Sequence, residues 1–84
     1  WGLVNRVSDD DALADDAKAM AQRLGGGPSS LGLIRRMYWD GLENNYADQL
    51  QLEADLQKQA GQSSDYEEGV TAFREKRSAN FTGK

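Results

Sequence analysis

The stretch whose reading decides the fold is YADQLQLEADLQKQA, residues 46–60. At ~100° per residue its apolar side chains fall into two stripes rather than one. Tyr46, Leu50 and Ala54 form the first stripe, and Leu52, Leu56 and Ala60 form the second. Gln49, Glu53 and Gln57 run between them. A surface helix lying on a single core needs an apolar arc of only ~100°, and this arc is far wider. The pattern predicts a helix that packs on two sides. One side meets the chain's own helices; the other meets a second subunit or the remainder of a longer protein. A two-sided contact within one small bundle is the plainer alternative.

Upstream of this helix, Leu13, Ala17, Met20, Ala21 and Leu24 recur at helical spacing. Ser8 and Asp9-Asp10-Asp11 precede them, with side-chain oxygens and negative charge that suit a helix start. Gly25-Gly26-Gly27, followed by Pro28, stops that helix. A second helix is expected from about Pro28-Ser29-Ser30, with Leu31, Ile34, Met37 and Tyr38 on one face and Leu33 and Trp39 off it. Gly41 and Asn44-Asn45 make the next turn. Downstream, Gly61 closes the third helix, and Ser63, Ser64 and Asp65 cap a fourth. Asp65 stands three residues ahead of Glu68, a capping-box-like spacing. The fourth helix carries Tyr66, Val70 and Phe73. Residues 1–8, with Leu3, Val4 and Val7, read as a short extended segment. The expected fold class is all-α: about four helices after that lead-in.

Eighty-four residues make one small domain. Only 38% of them are apolar and none is cysteine, so the core is thin and no disulfide reinforces it. A partner or a larger parent chain is expected to supply the missing burial. The chain starts at Trp1 and reads like the middle of a longer protein. It has no signal-peptide pattern and no apolar run long enough to span a membrane. Absence of cysteine fits a reducing compartment, and a cytoplasmic location is expected. A net charge of −4 argues against general nucleic-acid binding.

Without His or Cys, His-based triads, thiolate chemistry and the usual zinc sets are excluded. Asp9–Asp11 and Asp15-Asp16 read as a solvated, dipole-matching helix face rather than a metal or acid/base site. Gly25-Gly26-Gly27 follows a helix and lacks the Gly-Lys-Ser/Thr ending of a phosphate loop. Arg35-Arg36 read as surface arginines, and Asn80-Phe81-Thr82 as a chance sequon. The tail is the anomaly. Before Phe73 the chain holds 13 acids and 6 bases; from Phe73 onward it holds 4 bases and 1 acid. Phe73 and Lys76, three apart, share a helix face. An aromatic ring covers a flat base and an ammonium meets a phosphate, so the pair suits a nucleotide-bearing ligand. The alternatives are that Phe73 fills the core and that the bases answer the negative helix C-terminus.

Together these segments resemble a known family. GLVNRV (2–7) followed by an acid-capped helix resembles the exit from the catalytic core of the crotonase (enoyl-CoA hydratase/isomerase) superfamily. Leu50-Gln51-Leu52-Glu53-Ala54-Asp55-Leu56-Gln57 resembles its LxLExDLQ-type helix. Asp65 to Arg77 resembles its EGxxAFxxKRxxxF signature, and Phe81-Thr82-Gly83-Lys84 its usual ending. Within the family, AGQSSDYEEGVTAF (60–73) and the final FTGK are most similar to the branch that isomerises ring-1,2-epoxyphenylacetyl-CoA in phenylacetate degradation. The resemblance implies that residues 1–8 end a core segment and residues 9–84 form a C-terminal helical assembly region. It implies a missing N-terminal crotonase core, a homo-oligomer (a trimer or a dimer of trimers) and a coenzyme A thioester as the parent enzyme's substrate. No catalytic residue and no metal ligand is expected in this chain, which alone would be inactive and bind no cofactor. Phe73 and Lys76 match the family's contacts to the adenosine end of CoA, commonly in a neighbouring subunit's site. The rival reading is a free-standing helical interaction module with no link to CoA.

Overall fold

Local chemistry sets the helix boundaries. Asn45 sits in extended backbone, and its side-chain oxygen accepts the Asp48 N–H at 3.0 Å, which opens the third helix. Ser63 does the same for the fourth, its Oγ accepting the Tyr66 N–H at 3.1 Å. The computed structural model describes residues 1–84 and holds four helices and no strand: α1 (Leu13–Gly25), α2 (Ser30–Asp40), α3 (Tyr46–Gly61) and α4 (Ser64–Glu75). This is the all-α fold the sequence predicts.

Two of the expected caps are different. Ser8 and the aspartate triplet do not cap α1. Asp9 and Ala12 form a turn of their own, with Ala12 N–H donating to the Asp9 carbonyl at 3.0 Å. The Ser8 hydroxyl donates to the Asp16 carboxylate instead. Asp15 and Asp16 lie in the first turn and supply the charge that favours a helix N-terminus. At α4, Ser63 already occupies the cap geometry, so Asp65 falls inside the first turn. Its carboxylate is released from capping and turns toward distant chain. Arg36 pairs with Asp40 at 3.3 Å on the exposed side of α2, as surface arginines do.

α2 packs on α3 and α3 on α4. The buried apolar side chains are Leu56, 5% exposed, and Ala72, 2% exposed. On α3 the Leu52–Leu56–Ala60 stripe is covered, whereas Tyr46 and Leu50 of the other stripe are exposed. On α2 the covered side chains are Ser30, Leu33 and Met37; of the expected face, Met37 is covered and Leu31, Ile34 and Tyr38 are exposed. Leu33 therefore belongs to the packed face rather than off it. On α4, Asp65, Gly69 and Ala72 are covered and Tyr66, Val70 and Phe73 are exposed.

The arrangement is open. A compact 9.3 kDa monomer has about 5,000 Å² of accessible surface, and this chain has 7424 Å². Its radius of gyration is 16.1 Å, against about 12 Å for a compact domain of this length. No helix is long and apolar enough to cross a membrane.

Candidate functional site

The chain leaves α4 by reversing direction at Lys76, whose backbone is left-handed (φ 55°, ψ 41°). No other non-glycine residue has positive φ. Arg77 N–H donates to the Ala72 carbonyl at 3.0 Å and Lys76 N–H to the Phe73 carbonyl at 3.3 Å, so two of the free carbonyls at the helix end are satisfied. A side chain in this region costs about 1 kcal/mol relative to ordinary backbone, so the reversal needs support from outside the helix.

That support comes from two carboxylates on α4. The Arg77 guanidinium forks onto Glu68, with Nη1 donating to Oε1 at 2.6 Å and Nη2 to Oε2 at 2.9 Å. Asn80 N–H donates to the same Glu68 Oε1 at 2.8 Å. One turn earlier Asp65, 2% exposed, accepts from Thr82 N–H at 2.7 Å, Gly83 N–H at 3.0 Å and Ser29 N–H at 2.8 Å. The Asp65 N–H and the Ser64 hydroxyl in turn donate to the Lys84 carbonyl, at 3.0 and 2.9 Å. Residues 77–84 therefore lie back along α4, and Asp65 ties them to the loop that begins α2. The Phe81 ring lies over Gly69, where a Cβ would make an ordinary contact with it at 3.6 Å.

These contacts fix the charges. The Thr82 amide, aided by those of Ser29 and Gly83, holds the Asp65 carboxyl below its ordinary range against the opposing effect of burial. The Arg77 fork, then the Asn80 amide, lowers Glu68 to about 2. Glu68 and then Glu75 raise Arg77 further. Both carboxylates titrate lower in the folded chain than in the unfolded one. Their contribution is present above the unfolded values, near 3.8 and 4.5, and is lost as pH falls through the folded ones. The tail is therefore expected to come away from α4 in acid, starting below about pH 4.5, with Glu68 letting go of Arg77 and Asn80 only near pH 2. Amide NMR shifts of Asn80, Thr82 and Gly83, followed together against pH, check this. Shifts unchanged down to pH 2 would contradict it.

Phe73 and Lys76 both lie at this reversal. Phe73 is 85% exposed, so it does not fill the core. With Phe81, Val70, Tyr66 and Pro28 it lines a groove of about 370 Å³ between α4, the tail and the start of α2. Lys76 is exposed and makes no ion pair, and it is not among the residues lining that groove. Of the tail's bases, Arg77 is the one engaged in ion pairs. The acids Asp65 and Glu68, read from the sequence as a cap, are the residues that shape the site. Their spacing of three on α4 was the available signal, since it puts both carboxylates on one helix face.

The chain is similar along its whole length to three curated relatives. It is 47% identical to the 1,2-epoxyphenylacetyl-CoA isomerase of Escherichia coli K12, covering 100% of this chain and 32% of that protein. It is 40% identical to a "probable enoyl-CoA hydratase" of Rhodobacter capsulatus, covering 99% and 33%. It is 34% identical to the crotonyl-CoA hydratase of Syntrophomonas wolfei, covering 99% and 32%. The chain thus spans about a third of the length of the curated relatives it matches. The family model described as enoyl-CoA hydratase/isomerase matches residues 1–84, from the irregular lead-in through all four helices to the pinned tail. By that match the chain belongs to the enoyl-CoA hydratase/isomerase family.

Proposed function

We propose that residues 9–84 are the C-terminal helical assembly region of an enoyl-CoA hydratase/isomerase-type enzyme, and that residues 1–8 end its core segment. In this reading Phe73 and Lys76 contact the adenosine end of a coenzyme A thioester. The observation that carries the ligand role is the pair itself: an aromatic ring 85% exposed, and an unpaired ammonium at a fixed reversal one turn away. The ring offers a face for a purine and the ammonium a charge for a phosphate. Support for the assembly role comes from the open shape and from the bare Tyr46–Leu50 stripe of α3. Burying such a stripe in a homo-oligomer stabilises a chain whose own core is small.

The acyl group follows the relatives. The chain is 47% identical to an enzyme named for 1,2-epoxyphenylacetyl-CoA, against 40% and 34% for the two hydratases. That difference favours an epoxyphenylacetyl-CoA substrate over a simple enoyl-CoA. The chemistry itself is assigned outside this chain, to an N-terminal crotonase core. None of residues 1–84 is given the role of acid, base or oxyanion donor, and the chain alone is expected to be inactive. A cytoplasmic location accompanies this proposal.

The test is Lys76→Glu in the protein that carries this chain. Reversing the charge is expected to weaken CoA-ester binding about tenfold, a loss of roughly 1.4 kcal/mol. Calorimetric titration measures it. An unchanged dissociation constant would sink the CoA-contact role.

A further inference from the structure

Lys76 stands between two fates. Its sequence neighbour Glu75 carries the one carboxylate of the tail, and an ammonium engaged by a carboxylate is lost to a ligand. In the structure Glu75 is already taken: Arg77 Nε donates to its Oε2 at 2.6 Å. The same guanidinium holds both oxygens of Glu68 and donates to the Ser78 carbonyl at 3.2 Å. Arginine supports such a set because its donors form a rigid planar fork. Lysine has a single point charge and does not grip two carboxylates in this geometry.

We infer that Arg77 is a positioning residue for Lys76: it sequesters Glu75, neutralises Glu68 and braces the left-handed reversal, so that the Lys76 ammonium stays free for an anionic group of the ligand. This inference rests on the reading of Lys76 as a CoA contact. Three features of the geometry carry it. Lys76 is the lone non-glycine residue with positive φ. The residue after it anchors the returning chain to Glu68. The one acid of the tail is bound by Arg77 and not by Lys76. A surface salt bridge contributes little to stability on its own. Here its effect is directional, because it decides which base Glu75 neutralises.

Coenzyme A is the probe, titrated into the full protein that carries this chain. Arg77→Gln is expected to weaken CoA binding about fivefold, the equivalent of losing one screened charge contact. Adding Glu75→Gln to that variant is expected to restore binding to within about twofold, because the released carboxylate is gone. Lys76→Ala alone is expected to weaken binding about tenfold, and Arg77→Gln placed on top of it to add less than about twofold. Arg77→Lys, which keeps the charge without the fork, takes the place of Arg77→Gln where that variant does not fold; its deficit too is rescued by Glu75→Gln. A deficit that persists at full size in the Lys76→Ala background, or that Glu75→Gln leaves untouched, would show Arg77 to be merely structural and overturn the inference. Lys76→Ala binding CoA like the wild type would instead overturn the CoA-contact reading itself.

Discussion

Leu56→Ala is expected to lower the stability of the helical bundle by about 2–3 kcal/mol, the low end of the range for deleting a buried leucine side chain. Leu56 is 5% exposed and is the one large apolar side chain that this chain buries. It also lines a groove of about 520 Å³, shared with Leu33, Ile34 and Met37 of α2 and Tyr66 of α4. The deletion therefore widens an open groove rather than leaving a sealed void. Neighbours can collapse into it, and the cavity part of the penalty stays small. Urea unfolding followed by circular dichroism checks this, with the midpoint falling and the slope unchanged. Leu50→Ala is the control. Leu50 is 48% exposed, and its loss is expected to cost below about 1 kcal/mol. A Leu50→Ala penalty as large as that of Leu56→Ala would mean that the second stripe of α3 is already covered in solution.

These leucines mark where the sequence was legible. Helix ends are local events: Ser63 is among the expected caps, and Asn45, expected as part of a turn, opens α3. Periodicity showed that α3 carries two apolar stripes, and it does. It could not say which stripe the chain itself covers, because that depends on what lies opposite. On α2 this ambiguity splits the expected face. Met37 is covered as the spacing predicts, whereas Leu31, Ile34 and Tyr38 of the same expected face are exposed. Leu33, expected off that face, packs beside Met37, and α4 packs the small Gly69 and Ala72. The larger Tyr66, Val70 and Phe73 are exposed.

The site was legible in the same uneven way. Phe73 and Lys76 stood out through a charge reversal in the sequence and through a family resemblance. Arg77 had no assigned role, and Asp65 and Glu68 were read as a cap. Besides the Arg77 fork on Glu68, their partners are backbone amides of Asn80, Thr82, Gly83 and Ser29, from 12 to 36 residues away. Nothing in local spacing reports an amide so distant. A backbone N–H has no side-chain signature, so a carboxylate that binds amides looks in sequence like any other surface acid.

Asp65→Asn and Asp65→Ala are expected to free the tail to a similar extent, each raising the rate of tryptic cleavage after Arg74, Lys76 and Arg77 by at least about tenfold. Asparagine preserves the shape of aspartate and is ordinarily the milder change. Here the two carboxylate oxygens together face three backbone N–H donors and the Thr82 hydroxyl. An amide replaces one acceptor oxygen with an NH₂ donor, setting donor against donor on one side. Either Thr82 on one oxygen, or Ser29 and Gly83 on the other, loses its acceptor. Because the tail lies at the surface, the released amides find water, so the expected result is local opening and not global collapse. Helicity measured by circular dichroism should therefore stay near wild type while cleavage accelerates. Phe81 leaves the groove beside Gly69 with the tail, and Phe73 loses the wall it shares with Phe81. An Asp65→Asn tail as protected as the wild type would mean that the charge on Asp65 does not matter, and that its hydrogen bonds are incidental to how the reversal is held.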